Sequence, residues 1–220
     1  MKYELVIFDW DGTLMDSTGK ITRCMRKAAA QCQLPIPSED AVNHIIGLSL
    51  HPAVEILFGK LSDADVNRLT EAYSAAFIEE DTIPCEFFSG THSMLNALRD
   101  NSLKLAVATG KARRGLNRVM EQTQSHGFFD ASRCADEAKS KPHPQMILDI
   151  LQQTNVSPER AIMVGDTSHD IKMAHAAGVL AIGVSHGAHT HEALINANPH
   201  AVVPCAKTLH GKLEQLIFVS

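Results

Sequence analysis

The sequence predicts an α/β protein in which a doubly wound parallel sheet is interrupted, after its first strand, by an all-helical insert. Three observations predict it. Six short apolar runs are spread along the 220 residues. From residue 88 onward they alternate with segments of helical spacing, which is the rhythm of βαβ units. Between about Ser17 and Thr82 that rhythm stops, and only helical spacing remains.

The runs are "ELVIF" (4–8), "LKLAVAT" (103–109), a weaker "FFDASRCA" (128–135), "AIMVG" (161–165), "VLAIGV" (179–184) and "AVVP" (201–204). Several are continuous rather than alternating, as in strands covered on both faces. Between them, "THSMLNALRD" (91–100) puts Met94, Leu95 and Leu98 on one helical face, and "PQMILDILQQT" (144–154) does the same with Met146, Ile147, Ile150 and Leu151. Inside the insert, "KITRCMRKAAAQC" (20–32) repeats Ile21, Met25, Ala28 and Cys32. "DADVNRLTEAYSAAFIEE" (63–80) repeats Val66, Leu69, Tyr73 and Phe77, with Asp63 as a candidate cap. The expected division is a Rossmann-like core of residues 1–16 and 83–220 and a helical cap of residues 17–82. The joins, near Met15–Ser17 and Thr82–Pro84, would act as hinges. An insert directly after the first strand is placed to cover that strand's end as a lid.

Composition narrows the function classes. Hydrophobic residues make up 45% and charged residues 20%, and the formal net charge is −5, so there is no general basic footprint for nucleic acid. The five cysteines (Cys24, Cys32, Cys85, Cys134, Cys205) are odd in number and contain no C-x-x-C, which argues for reduced thiols and a cytoplasmic setting. The apolar run at Leu5–Phe8 is too short for a signal peptide or a membrane span. Nothing in the sequence sets an oligomeric state.

Ligands of a parallel α/β sheet collect at the carboxyl ends of its strands. After the first run come Asp9, Trp10, Asp11, Gly12 and Thr13; after the second, Thr109, Gly110 and Lys111; after the fourth, "GDTSHD" with Asp166 and Asp170; and Lys141 precedes Pro142 in "SKPHP". Four acids at neighbouring strand ends would repel one another. A hard divalent cation resolves this, and Mg²⁺ favours carboxylates together with retained waters.

With these residues in order, D-x-D-G-T at Asp9–Thr13, a strand-end Thr109, Lys141-Pro142 and G-D-x-x-x-D at Gly165–Asp170, the chain resembles the haloacid dehalogenase superfamily of phosphohydrolases. It is most similar to the subgroup with a helical cap after the first strand, and within it to phosphoglycolate phosphatase-like enzymes. The resemblance covers nearly the whole chain. It implies Asp9 as the nucleophile that forms an aspartyl-phosphate. It implies Asp11 as general acid and then base. The Asp9 and Asp166 carboxylates with the Asp11 carbonyl would hold Mg²⁺, and Asp170 would support them directly or through water. Thr109 and the Gly110 amide would grip phosphoryl oxygens, with Lys141 neutralising charge. Gly12 lets the chain turn sharply out of the strand.

Plainer readings exist for each motif. Asp9 and Asp11 could form a solvated turn, Thr109-Gly110 a helix cap, and Lys141 a solvated loop lysine. The four in register outweigh them. His186, His189 and His191 in "SHGAHTH" fit no usual zinc spacing and read as a solvated or substrate-edge loop. His169 reads as helix-terminal filler, and Lys20, Arg23, Arg26 and Lys27 as a solvated helix face.

The function expected from the resemblance is a Mg²⁺-dependent phosphatase acting on a small phosphorylated metabolite, phosphoglycolate-like or a sugar phosphate. A sugar phosphomutase or a pyrophosphatase on the same scaffold is the alternative, and a phospho-Asp signalling module is the non-enzymatic one. Neither nucleic acid nor membrane is an expected partner. The small size expected for the substrate rests on the cap turn "IGLSLHP" (46–52), whose one titratable residue is His51.

Overall fold

The computed structural model describes residues 2–80 and 85–218. The expected cap boundary at 82/83 and the hinge at Thr82–Pro84 lie outside the described residues. Six strands form one parallel sheet: β1 (Leu5–Phe8), β2 (Lys104–Ala108), β3 (Ala131–Arg133), β4 (Ala161–Gly165), β5 (Leu180–Val184) and β6 (Ala201–Val203), in the order β3-β2-β1-β4-β5-β6. All six apolar runs became strands, the weak third one shortened to three residues after a 3₁₀ turn at His126–Phe128. β1 is central, with Ile7 beside Ala106 of β2 on one flank and Met163 of β4 on the other.

Continuous apolar strands need cover on both faces, and the connecting helices supply it. Val6 and Phe8 of β1 pack into the cluster formed with α5 (Thr91–Asp100), α6 (Arg113–Gln122) and α10 (Ala206–Phe218). Leu5 and Ile7 pack on the other face with α7 (Gln145–Thr154), α8 (Ser168–Ala176) and α9 (His191–Asn196). This is the doubly wound arrangement the sequence predicts, and its switch point lies at β1 and β4.

Between β1 and α5 the described residues form four helices, α1 (Thr18–Gln31), α2 (Glu39–Ile45), α3 (Leu50–Phe58) and α4 (Asp63–Glu79). They bury an apolar cluster of their own, including Ile21 and Met25 of α1, Ile45 of α2 and Phe77 of α4. Helices α2 and α3 are too short to show a clear period. The expected turn at 46–52 stops at Ser49, because α3 begins at Leu50 and takes Pro52 in its first turn, where a missing N–H costs nothing. The segments entering and leaving this insert are tied side by side: Met15 bridges Phe87, and the Asp16 amide donates to the Glu86 carbonyl at 2.9 Å. Among the described residues no helix is long and apolar enough to cross a membrane.

Candidate active site

The Asp9 amide extends the sheet by donating to the Val164 carbonyl at 2.9 Å, so the first acid stands at the end of a fully paired central strand. Trp10 points into the core, its ring 5.6 Å from Phe87 and 6.0 Å from Phe129. That anchor leaves Asp9 and Asp11 together on the cleft side. Gly12 then turns with φ +80° at a point where a Cβ would collide with the Asp166 carboxylate. Only glycine fits both the angle and the space.

Lys141 is fully buried between two acids, its Nζ 2.9 Å from Asp9 Oδ1 and 2.6 Å from Asp170 Oδ1. Asp170 is itself fixed as the third residue of a capping box, with Oδ2 accepting from the Thr167 amide at 3.1 Å and hydroxyl at 2.7 Å. Asp166 Oδ1 accepts from Thr13 Oγ1 at 2.7 Å, and Oδ2 accepts from the Ala188 amide at 2.7 Å. One oxygen each from Asp9, Asp166 and Asp170 falls within 4.8 Å of the others. Asp9 Oδ2 is buried with no hydrogen-bond partner among the described residues.

The electrostatics follow from this crowding. Burial pushes Asp9 well above the usual carboxylate range, with Asp170 and Asp166 adding to the shift and Lys141 opposing it. Asp166 is raised to about 7, first by burial and then by Asp170, against the Ala188 and Thr13 hydrogen bonds. For Lys141 burial acts to lower the pKa, but Asp170 and Asp9 outweigh it and the net shift is upward. One cation faces three buried acids, and a buried carboxylate oxygen has no donor. That donor set suits a hard cation.

The second acid of the strand end lies apart from this trio. Asp11 accepts from Ser17 Oγ at 2.6 Å, and Lys111 Nζ sits 2.8 Å from each of its oxygens. Its carboxylate is therefore outside the three-carboxylate group, where the metal-ligand expectation for Asp11 concerned the backbone carbonyl. Thr109 is buried, and its Oγ1 accepts from the Lys111 amide at 3.2 Å. Gly110 is overlain by the helical insert: a Cβ there would stand 2.6 Å from the carbonyl oxygens of both Gly47 and Leu48.

Four features escaped the sequence reading. Lys111 holds Asp11 across 100 positions, and only its place after Thr109-Gly110 hinted at it. Lys20, expected on a solvated face, is buried, with Nζ 4.4 Å from the Phe77 ring centroid; Arg23, Arg26 and Lys27 do lie exposed, paired with Glu80, Glu39 and Glu79. His189, expected in a solvated loop, is buried, with Nδ1 accepting from the Ser168 amide at 3.1 Å. His189 and His169, read as filler, both place Nε2 near the His44 carbonyl of α2, at 3.3 and 3.0 Å, so they join core to insert. The "SHGAH" loop does carry one readable signal, Gly187. A Cβ there would run into Asp166 and the Gly12 carbonyl, so the loop folds tightly over Asp166.

The chain is similar to known proteins. Residues 6–184 match the family described as haloacid dehalogenase-like hydrolase. The chain is 34% identical to the protein named "Probable phosphatase IndB" of Dickeya dadantii, over 98% of this chain and 96% of that one. It is 29% identical to the phosphoglycolate phosphatase of Pseudomonas putida, over 90% of this chain and 75% of that one. Among solved structures, a hydrolase from Pseudomonas syringae superposes with a TM-score of 0.89 at 20% identity, covering 97% of this chain and 99% of that one, a likeness of fold.

Proposed function

The chain belongs to the haloacid dehalogenase-like hydrolase family, and on that premise we propose that it is a phosphatase that transfers the phosphoryl group of a low-molecular-weight phosphomonoester to Asp9 and then to water. The observation that carries the reading is Asp9 Oδ2: a buried carboxylate oxygen without a donor, on the floor of a cleft, with its partner oxygen held by Lys141.

Asp9 Oδ2 attacks phosphorus, the bond from phosphorus to the leaving oxygen breaks, and Asp11 gives that oxygen a proton. In the second step Asp11 takes a proton from water, the water oxygen attacks phosphorus, and Asp9 leaves as a free carboxylate with inorganic phosphate. Ser17 and Lys111 position Asp11 for both. Thr109 and the Gly110 amide bind phosphoryl oxygens, and Lys141 holds Asp9 in its attacking orientation while offsetting charge. Asp9, Asp166 and Asp170, with the Asp11 carbonyl, would hold a divalent cation, and the all-oxygen set suits a hard cation such as Mg²⁺. When bound it would neutralise the carboxylates and draw charge from the phosphoryl group.

Residues 17–82 act as a cap. Seated as here, with Gly47 and Leu48 over Gly110, the cap roofs part of the floor. Movement about the paired segments near Met15 and Phe87 would admit substrate. The five free cysteines are in keeping with a cytoplasmic setting. The test is acid quenching during turnover of an aryl phosphate, followed by mass spectrometry. A phosphate adduct on the peptide containing Asp9, absent from Asp9→Asn, is the expected result; release of phosphate with no adduct under single-turnover conditions would count against the covalent route.

A further inference from the structure

The cleft above the acidic floor is larger than a two-carbon acid phosphate needs. It encloses about 1010 Å³, at the top of the span of roughly 300–1,000 Å³ in which proteins bury drug-sized ligands. One face of α4 forms part of its cap wall: Thr70, Tyr73, Ser74, Phe77 and Ile78 all line it, at the i, i+3, i+4, i+7, i+8 spacing, and apolar side chains such as Ile21, Met25, Ile46 and Leu50 continue that wall. Ile78 is 53% exposed, a large apolar side chain left in water on the cleft wall. The opposite wall is α6, where Arg114 and Arg118 stand four residues apart on one face. The two walls approach each other at Phe77, whose ring centroid is 5.5 Å from the Arg118 guanidinium carbon.

An apolar wall facing a polar one, on which Arg114 and Arg118 stand with Glu121 and Asp136, suits a flat body with a polar rim. Its apolar face would cover Tyr73 and Ile78, and acceptor atoms on its rim would meet Arg114. A short acid or a polyol has no face to offer α4 and would leave Ile78 wet. We infer that the leaving group of the substrate carries a ring, aromatic or otherwise flat and apolar on one face, and is not a two- or three-carbon acid. The inference rests on the phosphatase reading and sharpens it. The turn at 46–52, from which the sequence suggests a small substrate, lines the same cleft with Ile46, Gly47, Leu48 and Leu50, and its lack of Asp, Glu, Lys or Arg side chains suits an apolar body as well as a small one.

Phenyl phosphate and 2-naphthyl phosphate have leaving groups of nearly equal acidity, so the ratio of their kcat/KM values reads fit. The purified protein with Mg²⁺ is expected to favour the naphthyl ester by about tenfold or more. Ser74→Trp, at an exposed position on the α4 face, fills the cleft and is expected to lower kcat/KM for the naphthyl ester about tenfold more than for the phenyl ester. Equal kcat/KM for the two aryl esters in the wild-type protein would overturn the inference and leave the phosphatase reading standing. So would a two-carbon acid phosphate that outperforms the naphthyl ester despite its poorer leaving group. Hydrolysis of none of the three would overturn the phosphatase reading, and the inference with it.

Discussion

The floor of the cleft and its walls are built on opposite principles. On the floor Asp9, Asp166, Asp170 and Lys141 are almost fully buried and nearly every polar atom has a named partner at 2.6–3.1 Å. The walls, α4 and α6, meet at Phe77 and Arg118 and otherwise flank a half-open cleft of about 1010 Å³, apolar on the α4 side and charged on the α6 side. A rigid floor fixes where charge sits before the substrate arrives, which is what a reaction needs. A loose wall can be re-lined without disturbing the floor, which is what a change of substrate needs. Floor variants should therefore affect every substrate, and wall variants should affect substrates selectively.

The largest effect should come from Asp9→Asn. The amide cannot attack phosphorus, and loss of the covalent route is expected to lower kcat by about 10³-fold or more, several kcal/mol of barrier at about 1.4 per tenfold. Lys141 keeps Asp170 as a partner, so the variant should fold, and circular dichroism melting checks that. Near-wild-type phosphate release from a folded Asp9→Asn protein would break the distinction between floor and wall.

Metal withdrawal comes next. EDTA is expected to stop turnover of every phosphomonoester and Mg²⁺ to restore it, with Ca²⁺ a poor substitute because it prefers a larger, looser shell. Asp166→Ala should shift the Mg²⁺ titration to much higher concentrations. An enzyme fully active in chelator would remove the cation from the mechanism.

Asp11 gives a smaller effect that depends on chemistry rather than on fit. General acid catalysis is worth about 10²- to 10⁴-fold. Asp11→Asn should cost most of that with an alkyl ester and less, in the first half-reaction, with a nitrophenyl ester that leaves without protonation. Lys111→Met, which leaves Asp11 in place without its ion pair, should follow the same order with smaller losses and a displaced pH profile. Single-turnover phosphorylation rates for the two esters check both variants, and equal losses would argue against an acid role.

The contrast between floor and wall also explains what the sequence discloses. The floor is written in short local words. Asp9 and Asp11 are two residues apart at a strand end, Asp166 and Asp170 sit across one helical turn, and the parallel sheet brings every strand end to one edge. Apolar runs likewise mark all six strands, most weakly at β3. The walls are tertiary. Phe77 meets Lys111 and Arg118 only because α4 docks over α6, and Lys111 meets Asp11 across 100 positions. Lys20 is buried with its ammonium over the Phe77 ring, and a period of 3.6 cannot distinguish that from a solvated face. His44, His169 and His189 become partners only when insert and core close together.

The smallest predicted effect isolates the floor from everything else. In the metal-free protein Asp9 lies above the usual carboxylate range and Asp166 at about 7, each chiefly through burial. For an acid whose folded pKa exceeds its unfolded value of about 3.9, the folded state holds the proton more tightly. The stabilising contribution is complete below that unfolded value and is lost as the pH rises through the folded one. Asp166 should therefore lose its stabilising contribution to the metal-free protein between about pH 4 and pH 7, and Asp9, shifted in the same direction, should act in the same sense, with about 2–4 °C of Tm per kcal/mol for a chain of this size. Paired carboxylates elsewhere, such as Glu137 with its lowered pKa beside Arg113, act in the opposite sense, so the raw Tm curve mixes both. The difference between Tm with and without Mg²⁺ does not. A cation replaces the protons on the floor, so the Mg²⁺-induced rise in Tm should be near zero at pH 5 and grow toward pH 8. Ser74→Trp should leave that difference curve in place and Asp166→Ala should flatten it. A Mg²⁺ effect equal at both pH values, or one abolished by the wall variant, would mean that floor and wall are not separate devices.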